Sequence, residues 1–413
     1  MRVVQEVRVW GEPDEATVAQ ATRCAQAWDA AAACLMADAH RGCSMPVGGV
    51  VAYREHVSPS GAGYDIACGI LAVRTDLRAD DVRPSLPKVL DDVVRQVSFG
   101  LGRSNPRSVD HELFDDPLWH DDRRIGRLKQ RAQAQLGTVG PGNHFVDLPA
   151  EEGTDALWVA AHFGSRGLGH AIGSGFLNLA AGRPFGDKAP GEGMDQPPTL
   201  IAAASELGQT YLRAMELAGR YAYAGREHVV GQVLEILGAQ ATKSVHNHHN
   251  FCWLELVEGE PAWVVRKGAT PAFPGQEGFV GGSMGDFAAV VAGVEGEEAA
   301  LALHSTVHGA GRIMSRRAAR SRVTRSGEVK EPGRVSREMM AERTAAFGML
   351  VRGGDVDESP HVYRSLDAVL AAHASSVAVR HRLRPIGVVR PARKWWNRTR
   401  TEPEPRPAGF GGG

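Results

Sequence analysis

The sequence predicts one large α+β domain of mixed sheets and helices, covering residues 1–390. Three observations lead to it. Between Gly42 and Thr75, short β-branched runs alternate with glycine-rich turns. Elsewhere, longer segments carry apolar side chains at three- and four-residue spacing. No internal repeat or linker divides residues 1–390 into modules. With 413 residues, 43% of them hydrophobic, the chain can bury a sizeable core.

The elements follow in order. Residues 15–36 read as a helix, with Ala, Val, Cys, Trp and Leu recurring at helical spacing. Val47–Val51 and Ile70–Val73 read as strands between tight connections. Leu157–Ala161 is an apolar run of strand length that ends at His162, where Gly164-Ser165-Arg166-Gly167 begins a turn. Residues 199–239 suit one long helix or a helical pair. Phe251–Leu256 and Ala262–Arg266 read as strands, 364–382 as a helix, and Pro385–Val389 as a last short strand. Residues 391–413 are Pro-, Gly- and Arg-rich and are expected to be disordered, apart from a contact through Trp395 and Trp396.

Composition narrows the class. No run of about 18 apolar residues suggests a membrane span, and the N-terminus carries no long apolar segment of a secretory signal. Five scattered cysteines do not make a disulfide framework. These features point to a cytoplasmic protein. Formal net charge is -1, so any affinity for a polyanion must come from a local basic surface. Arg312 to Arg337 offers nine basic residues against Glu328 and Glu331. A solvated arginine-rich helix and loop accounts for that stretch equally well.

Five motifs carry chemistry. In Gly63-Tyr64-Asp65-Ile66-Ala67-Cys68-Gly69, a carboxylate and a thiol three residues apart can face one cavity, and a thiolate can bridge two divalent ions. Alone, the pair fits a turn-capping aspartate and a buried free cysteine better. Gly137 to Phe145 is a glycine-rich loop leading into Asn143-His144, able to offer backbone N–H groups to a phosphate. His162 sits at a strand end, followed by Arg166, a side chain suited to bidentate phosphate contact. His246-Asn247-His248-His249 adds a third histidine cluster. Each histidine alone fits a structural role. Together with Asp65 and Cys68 they favour a metal site.

The fifth motif is Val307-His308-Gly309-Ala310-Gly311-Arg312-Ile313-Met314-Ser315-Arg316. Imidazole can attack phosphorus and form a phosphoramidate. Small neighbours leave room for a nucleotide, and Arg312 and Arg316 can meet phosphates. By itself the loop could bind any anion.

In order and number these motifs resemble those of the RtcB family of RNA-splicing ligases, from about Ala37 to Arg390. Ala37-Asp38-Ala39-His40, Met45 to Val50, Arg266 to Thr270, Gly282 to Gly285 and Glu358 to Tyr363 also match. The resemblance implies a fold around a central two-metal cleft, and an enzyme joining RNA 3′-phosphate or 2′,3′-cyclic phosphate ends to 5′-hydroxyl ends with GTP and two Mn²⁺. It implies that His308 becomes guanylylated and that Asp38 orients it. Asp65, Cys68 and His144 would hold one metal ion; Cys68, His162 and His249 the other, with His248 as the alternative to His249. Asn143, His144, Asp147, Ser283, His308, Gly309, Ala310, Gly311, Tyr363 and Arg390 would contact GTP. Arg166, Arg312 and Arg316 would meet RNA or phosphate.

The sequence also departs from the family pattern. Ala37 stands where Pro is usual, Asp147 where Glu is usual, and Arg390 where Lys is usual. Asp286, Phe287 and Ala288 replace small and hydroxyl residues. The inferred metal ligands and His308 are intact. Three other readings accompany the main one: a divergent paralogue with altered nucleotide or nucleic-acid end specificity, a non-catalytic metal-containing RNA-binding protein, and a metal-dependent phosphodiesterase, which would not explain the His308–Arg312 loop.

Overall fold

The computed structural model describes residues 1–27, 29–188, 193–324 and 329–392. Two sheets dominate. The first has six strands in the order Arg2–Val4, Val7–Val9, Ala30–His40, Val47–Tyr53, Glu260–Lys267 and Asn250–Val257. The second runs Ala241–His248, Gly69–Arg78, Ala156–Phe163, Phe145–Glu151, Val377–Val389, Ala288–Gly293 and Glu277–Val280, with Leu350–Arg352 added in parallel to Val377–Val389. This is the mixed α+β architecture the sequence predicts.

The hairpin Asn250–Val257/Glu260–Lys267 shows how local chemistry builds the first sheet. Glu258 and Gly259 connect the strands with φ of 55° and 83°. Positive φ at both turn positions matches the right-handed twist of a two-residue hairpin. The expected strands at 251–256 and 262–266 both lie within it.

Residues 199–239 contain a single helix, Glu206–Leu237, of 32 residues and about 48 Å. Ser205 caps it by accepting from the Gly208 N–H, and Gly238 ends it in the left-handed region. Its buried face packs on the strands Gly69–Arg78 and Ala156–Phe163. Most buried positions on that face are apolar or small, but Arg226 is among them and is fully buried.

Two expectations need correction. The helix expected over 15–36 ends at Ala25, and Ala30–His40 is a strand. Alanine favours helix intrinsically, yet this run is enclosed between Val7–Val9 and Val47–Tyr53, where burial and pairing decide the conformation. The helix expected over 364–382 is confined to Leu366–Ala371. The chain then enters the 13-residue strand Val377–Val389, which absorbs the short strand expected at 385–389. The tail expectation falls on residues outside those described, apart from 391 and 392.

The second sheet is antiparallel along its main path, so one strand ends where its neighbour begins. Gly69 pairs with His248 and Phe163, His162 with Phe145, and Val389 with Val146. Cys68, His144, His162, His249 and Arg390 therefore gather at one end of the sheet, although 322 positions separate Cys68 from Arg390 in the chain.

Candidate active site and metal centre

His249 stands where the chain leaves one sheet and enters the other. His248 is the last residue of Ala241–His248 and Asn250 the first of Asn250–Val257. Between them, the His249 N–H donates to the Cys68 carbonyl at 2.9 Å, and its own carbonyl accepts from the Ala269 N–H at 3.2 Å. The crossing sends the two side chains to different places. His249 Nε2 lies 3.5 Å from His162 Nε2. His248 stacks on Trp253, and its Nδ1 meets the Tyr223 hydroxyl at 2.9 Å.

Cys68 Sγ lies 3.6 Å from His144 Nε2 and 3.4 Å from His162 Nε2. Asp65 Oδ2 is 2.8 Å from His144 Nε2. Two groups that could each hold a metal ion result: Asp65, Cys68 and His144, and Cys68, His162 and His249. Within each, the donor atoms lie within 4.8 Å of one another, and Cys68 belongs to both. The donor chemistry fits. One carboxylate, one shared thiol and three imidazoles suit Mn, Fe or Zn. Burial holds His162 and His249 well below the usual histidine range, so both rings are neutral as ligands must be. Burial and the nearby Asp65 push the Cys68 thiol up, so a cation held here would have to draw off its proton. Burial would raise Asp65, but His144 and hydrogen bonds outweigh it and hold the carboxyl at about 2.

A dense frame surrounds these donors. Arg226 Nη1 donates to the Ala67 carbonyl at 2.9 Å and to the Phe163 carbonyl at 2.7 Å, the residues next to Cys68 and His162. Ser165 Oγ donates to the Ile66 carbonyl at 2.6 Å. The Asn143 carbonyl, 3.2 Å from His162 Nδ1, fixes that ring. Ala67 adopts φ of 55°, costly for a residue with a Cβ. Its N–H donates to the Asn250 carbonyl at 2.7 Å, which helps lock the turn that presents Cys68.

His308 follows the strand Ser305–Val307 and faces the same cleft, its ring 4.9 Å from that of His249. Its Nδ1 is 2.7 Å from Asp38 Oδ2, and the same oxygen accepts from the backbone N–H groups of His308 and Gly309 at 3.1 and 3.2 Å. Asp38 is fully buried. Burial would raise its pKa, but the His308 charge and hydrogen bonds prevail and hold it below the usual carboxylate range. Gly311, at φ of 71°, lets the loop pass over the Asp38 carbonyl, where a Cβ would clash.

The cleft has a volume of about 320 Å³. Asn143, Gly309, Ala310, Gly311, Arg312, Arg316, Tyr363 and Arg390 line it together with Asp65, Cys68, His162, His249 and His308. Asp147 and Ser283 lie in an adjoining side cavity of about 10 Å³, shared with Arg390. Burial pushes the Asp147 carboxyl up to about 7 despite Arg390. Arg166 does not line the cleft. It is buried, with Nε 3.4 Å from the Thr138 hydroxyl and its charge near Asp65. The replaced positions have structural partners: Asp286 accepts from the Leu366 N–H at 2.8 Å, and Phe287 lies under the Arg382 guanidinium.

Part of the basic stretch after Arg312 is paired with acids, while Arg317, Lys330 and Arg334 are exposed. Arg316 and Arg320 each lie 2.7 Å from Asp357, Arg337 is 3.4 Å from Asp355, and Arg322 is 2.7 Å from Glu331. Arg325 and Glu328 lie outside the described residues.

Sequence reasoning assigned no role to Arg226, Glu358, His40 or Lys267, although the last two line the cleft. Arg226 left a signal, a charge on the otherwise apolar face of a long helix. Glu358 sat within a matched motif, and nothing in its sequence neighbours shows what it touches.

The family model described as tRNA-splicing ligase RtcB matches residues 20–126 and 119–391. The chain belongs to the RtcB family. The tRNA-splicing ligase RtcB of Thermococcus kodakarensis is 32% identical, over 86% of this chain and 87% of its own. The RNA-splicing ligase RtcB of Escherichia coli is 31% identical, over 86% and 89%. That of Mycobacterium bovis is 30% identical, over 86% and 96%. The names of these relatives describe RNA ligases, and the donor set found here fits a metal centre in chemistry as well as in spacing. No helix among the described residues is long and apolar enough to cross a membrane.

Proposed function

We propose that this chain seals RNA, joining a 3′-phosphate, or a 2′,3′-cyclic phosphate after opening, to a 5′-hydroxyl, with GTP as the energy source. The observation that carries the reading is the pairing of His308 with buried Asp38 beside donor sets for two metal ions that share Cys68. Asp38 on Nδ1 leaves Nε2 as the attacking nitrogen, a division of labour like that of other carboxylate–imidazole pairs.

His308 Nε2 attacks the α-phosphorus of GTP; the N–P bond forms as the bond to pyrophosphate breaks. An oxygen of the RNA 3′-phosphate then attacks the same phosphorus and frees His308, leaving GMP on the RNA end. The 5′-hydroxyl oxygen attacks the RNA 3′-phosphorus, its proton is lost, and GMP departs. Covalent catalysis divides one difficult substitution into steps with good leaving groups. Asp65, Cys68 and His144 would hold one Mn²⁺ and Cys68, His162 and His249 the other. Bound there, the ions supply neutralisation of phosphate charge and activation of the attacking group.

Asn143, Tyr363, Arg390 and the Gly309–Gly311 loop are the cleft groups this reading gives to the nucleotide, with Asp147 and Ser283 at its base. Arg312 and Arg316 are given to phosphate. Arg166, placed behind the donors, acts on Asp65 and the cleft charge instead of touching RNA. A second reading, with altered base preference, rests on the replaced positions Asp147, Asp286 and Phe287 and is tested in the same experiment. The experiment is joining of RNA strands bearing 3′-phosphate and 5′-hydroxyl ends, with Mn²⁺ and either GTP or ATP, beside DNA ends. Joining of RNA with GTP alone supports the main reading. Joining with ATP alone, or of DNA alone, supports a paralogue with changed specificity, and no joining of any ends rejects ligation.

A further inference from the structure

Glu358 does not line the cleft, yet its carboxylate gathers four groups that do. Oε2 accepts from the Tyr363 hydroxyl at 2.5 Å and from Arg390 Nη1 at 3.2 Å. Oε1 accepts from Arg316 Nη1 and lies 3.6 Å from Arg312 Nη1. Arg312 also donates to the Tyr363 hydroxyl at 3.0 Å, closing the network. Glu358 is 3% exposed, so its carboxylate is held out of water, where charge-assisted hydrogen bonds hold geometry firmly; of its partners Arg316 alone is substantially exposed.

Free arginine side chains are long and rotamer-rich. Here three of them reach the cleft wall from two segments, Arg312 and Arg316 from the loop after His308 and Arg390 from the end of the strand Val377–Val389, and one carboxylate is common to all. Asp357 supports Arg316 from behind at 2.7 Å but is shared with Arg320. Glu358 and this shared acid do not neutralise the three guanidiniums, and the wall keeps an excess of positive charge.

We propose that Glu358 is a positioning residue for the phosphate-bearing ligand of this cleft, fixing Arg312, Arg316, Arg390 and Tyr363 in the arrangement that grips it. The proposal rests on the reading that these four groups meet nucleotide or RNA phosphate. It makes a prediction opposite in sign to simple electrostatics. Removing a negative charge from beside three arginines should, on charge alone, tighten anion binding. Loss of positioning should weaken it.

The test is calorimetric binding of inorganic pyrophosphate, added with saturating Mn²⁺, to the full chain and its Glu358→Gln and Glu358→Asp variants. Mn²⁺ stoichiometry and Tm are measured alongside. We expect at least tenfold weaker binding in Glu358→Gln. Glu358→Asp, which keeps the charge and shortens its reach, should weaken binding threefold or more. Both should retain the parent's Mn²⁺ stoichiometry. Equal or tighter binding in Glu358→Gln overturns the proposal, as does lack of pyrophosphate binding by the parent. If Glu358→Gln does not fold, Glu358→Asp decides alone, and parental affinity in it overturns the proposal. Because this readout needs no guanylylation, it separates failure here from failure of the ligase reading.

Discussion

Asp38 Oδ2 stands 2.7 Å from Nδ1 of His308 and also accepts the His308 backbone N–H. One carboxylate thus sets both the ring and the chain that carries it. The two residues are 270 positions apart and come together because the strand Ala30–His40 runs under the loop after Ser305–Val307.

The first prediction concerns that pair. Asp38→Asn preserves size but removes the charge that stabilises a developing imidazolium. Nucleotidyl transfer to the protein should fall on the order of 100-fold or more. Bound metal, measured by elemental analysis, should stay at the parental level. A variant with parental transfer rates would show that Asp38 only shapes the loop.

A second prediction separates the neighbouring histidines. His249→Ala should lower metal content and weaken the cobalt–thiolate absorption expected of Co²⁺-loaded protein, because His249 shares one of the two donor clusters with Cys68. His248→Ala should leave both intact, since its ring packs on Trp253 and Tyr223. The reverse pattern would relocate the second metal.

The contrast shows what a sequence can reveal about this site. The donor types and their glycine-rich settings were legible, because close backbone approach restricts the residues that fit. The choice between His248 and His249 was not. It depends on the residue at which the chain crosses between sheets. The alanine-rich run from Ala30 misled for a related reason: local propensity favours helix, while its two sheet neighbours come from distant segments. Arg226 and Glu358 went unassigned because their partners, Phe163 and Arg390 among them, are far away in sequence.

Arg226 gives a third prediction. It bridges the carbonyls that flank Cys68 and His162. Arg226→Met should leave both buried carbonyls short of a donor, costing roughly 1–3 kcal/mol each. Mn²⁺ affinity should drop about 10- to 100-fold, as for other groups that orient metal ligands. Competition with a fluorescent chelator measures the affinity, and an unchanged Kd would refute this role.

The fourth prediction concerns pH and lies away from the cleft. Burial would raise Glu151, but donation from His381, Arg74 and Trp158 prevails and brings it to about 2. A carboxyl lowered on folding adds stability above the ordinary glutamate value of 4.5, and that gain disappears as pH falls toward 2. Glu151→Gln should therefore cost on the order of 2 kcal/mol at pH 7. The gap from the parent, read from denaturant midpoints, should narrow steadily below pH 4.5. A gap that persists unchanged at pH 3 would assign the effect to packing.

The central claim is that His308 carries the nucleotide, and label transfer tests it most directly. The full chain is incubated with Mn²⁺ and α-labelled GTP, with ATP in parallel and His308→Ala as the control. The account predicts label that survives denaturation, is released by acid and is absent from the variant. Absence of label from either nucleotide in metal-loaded protein, or equal label on His308→Ala, would contradict it.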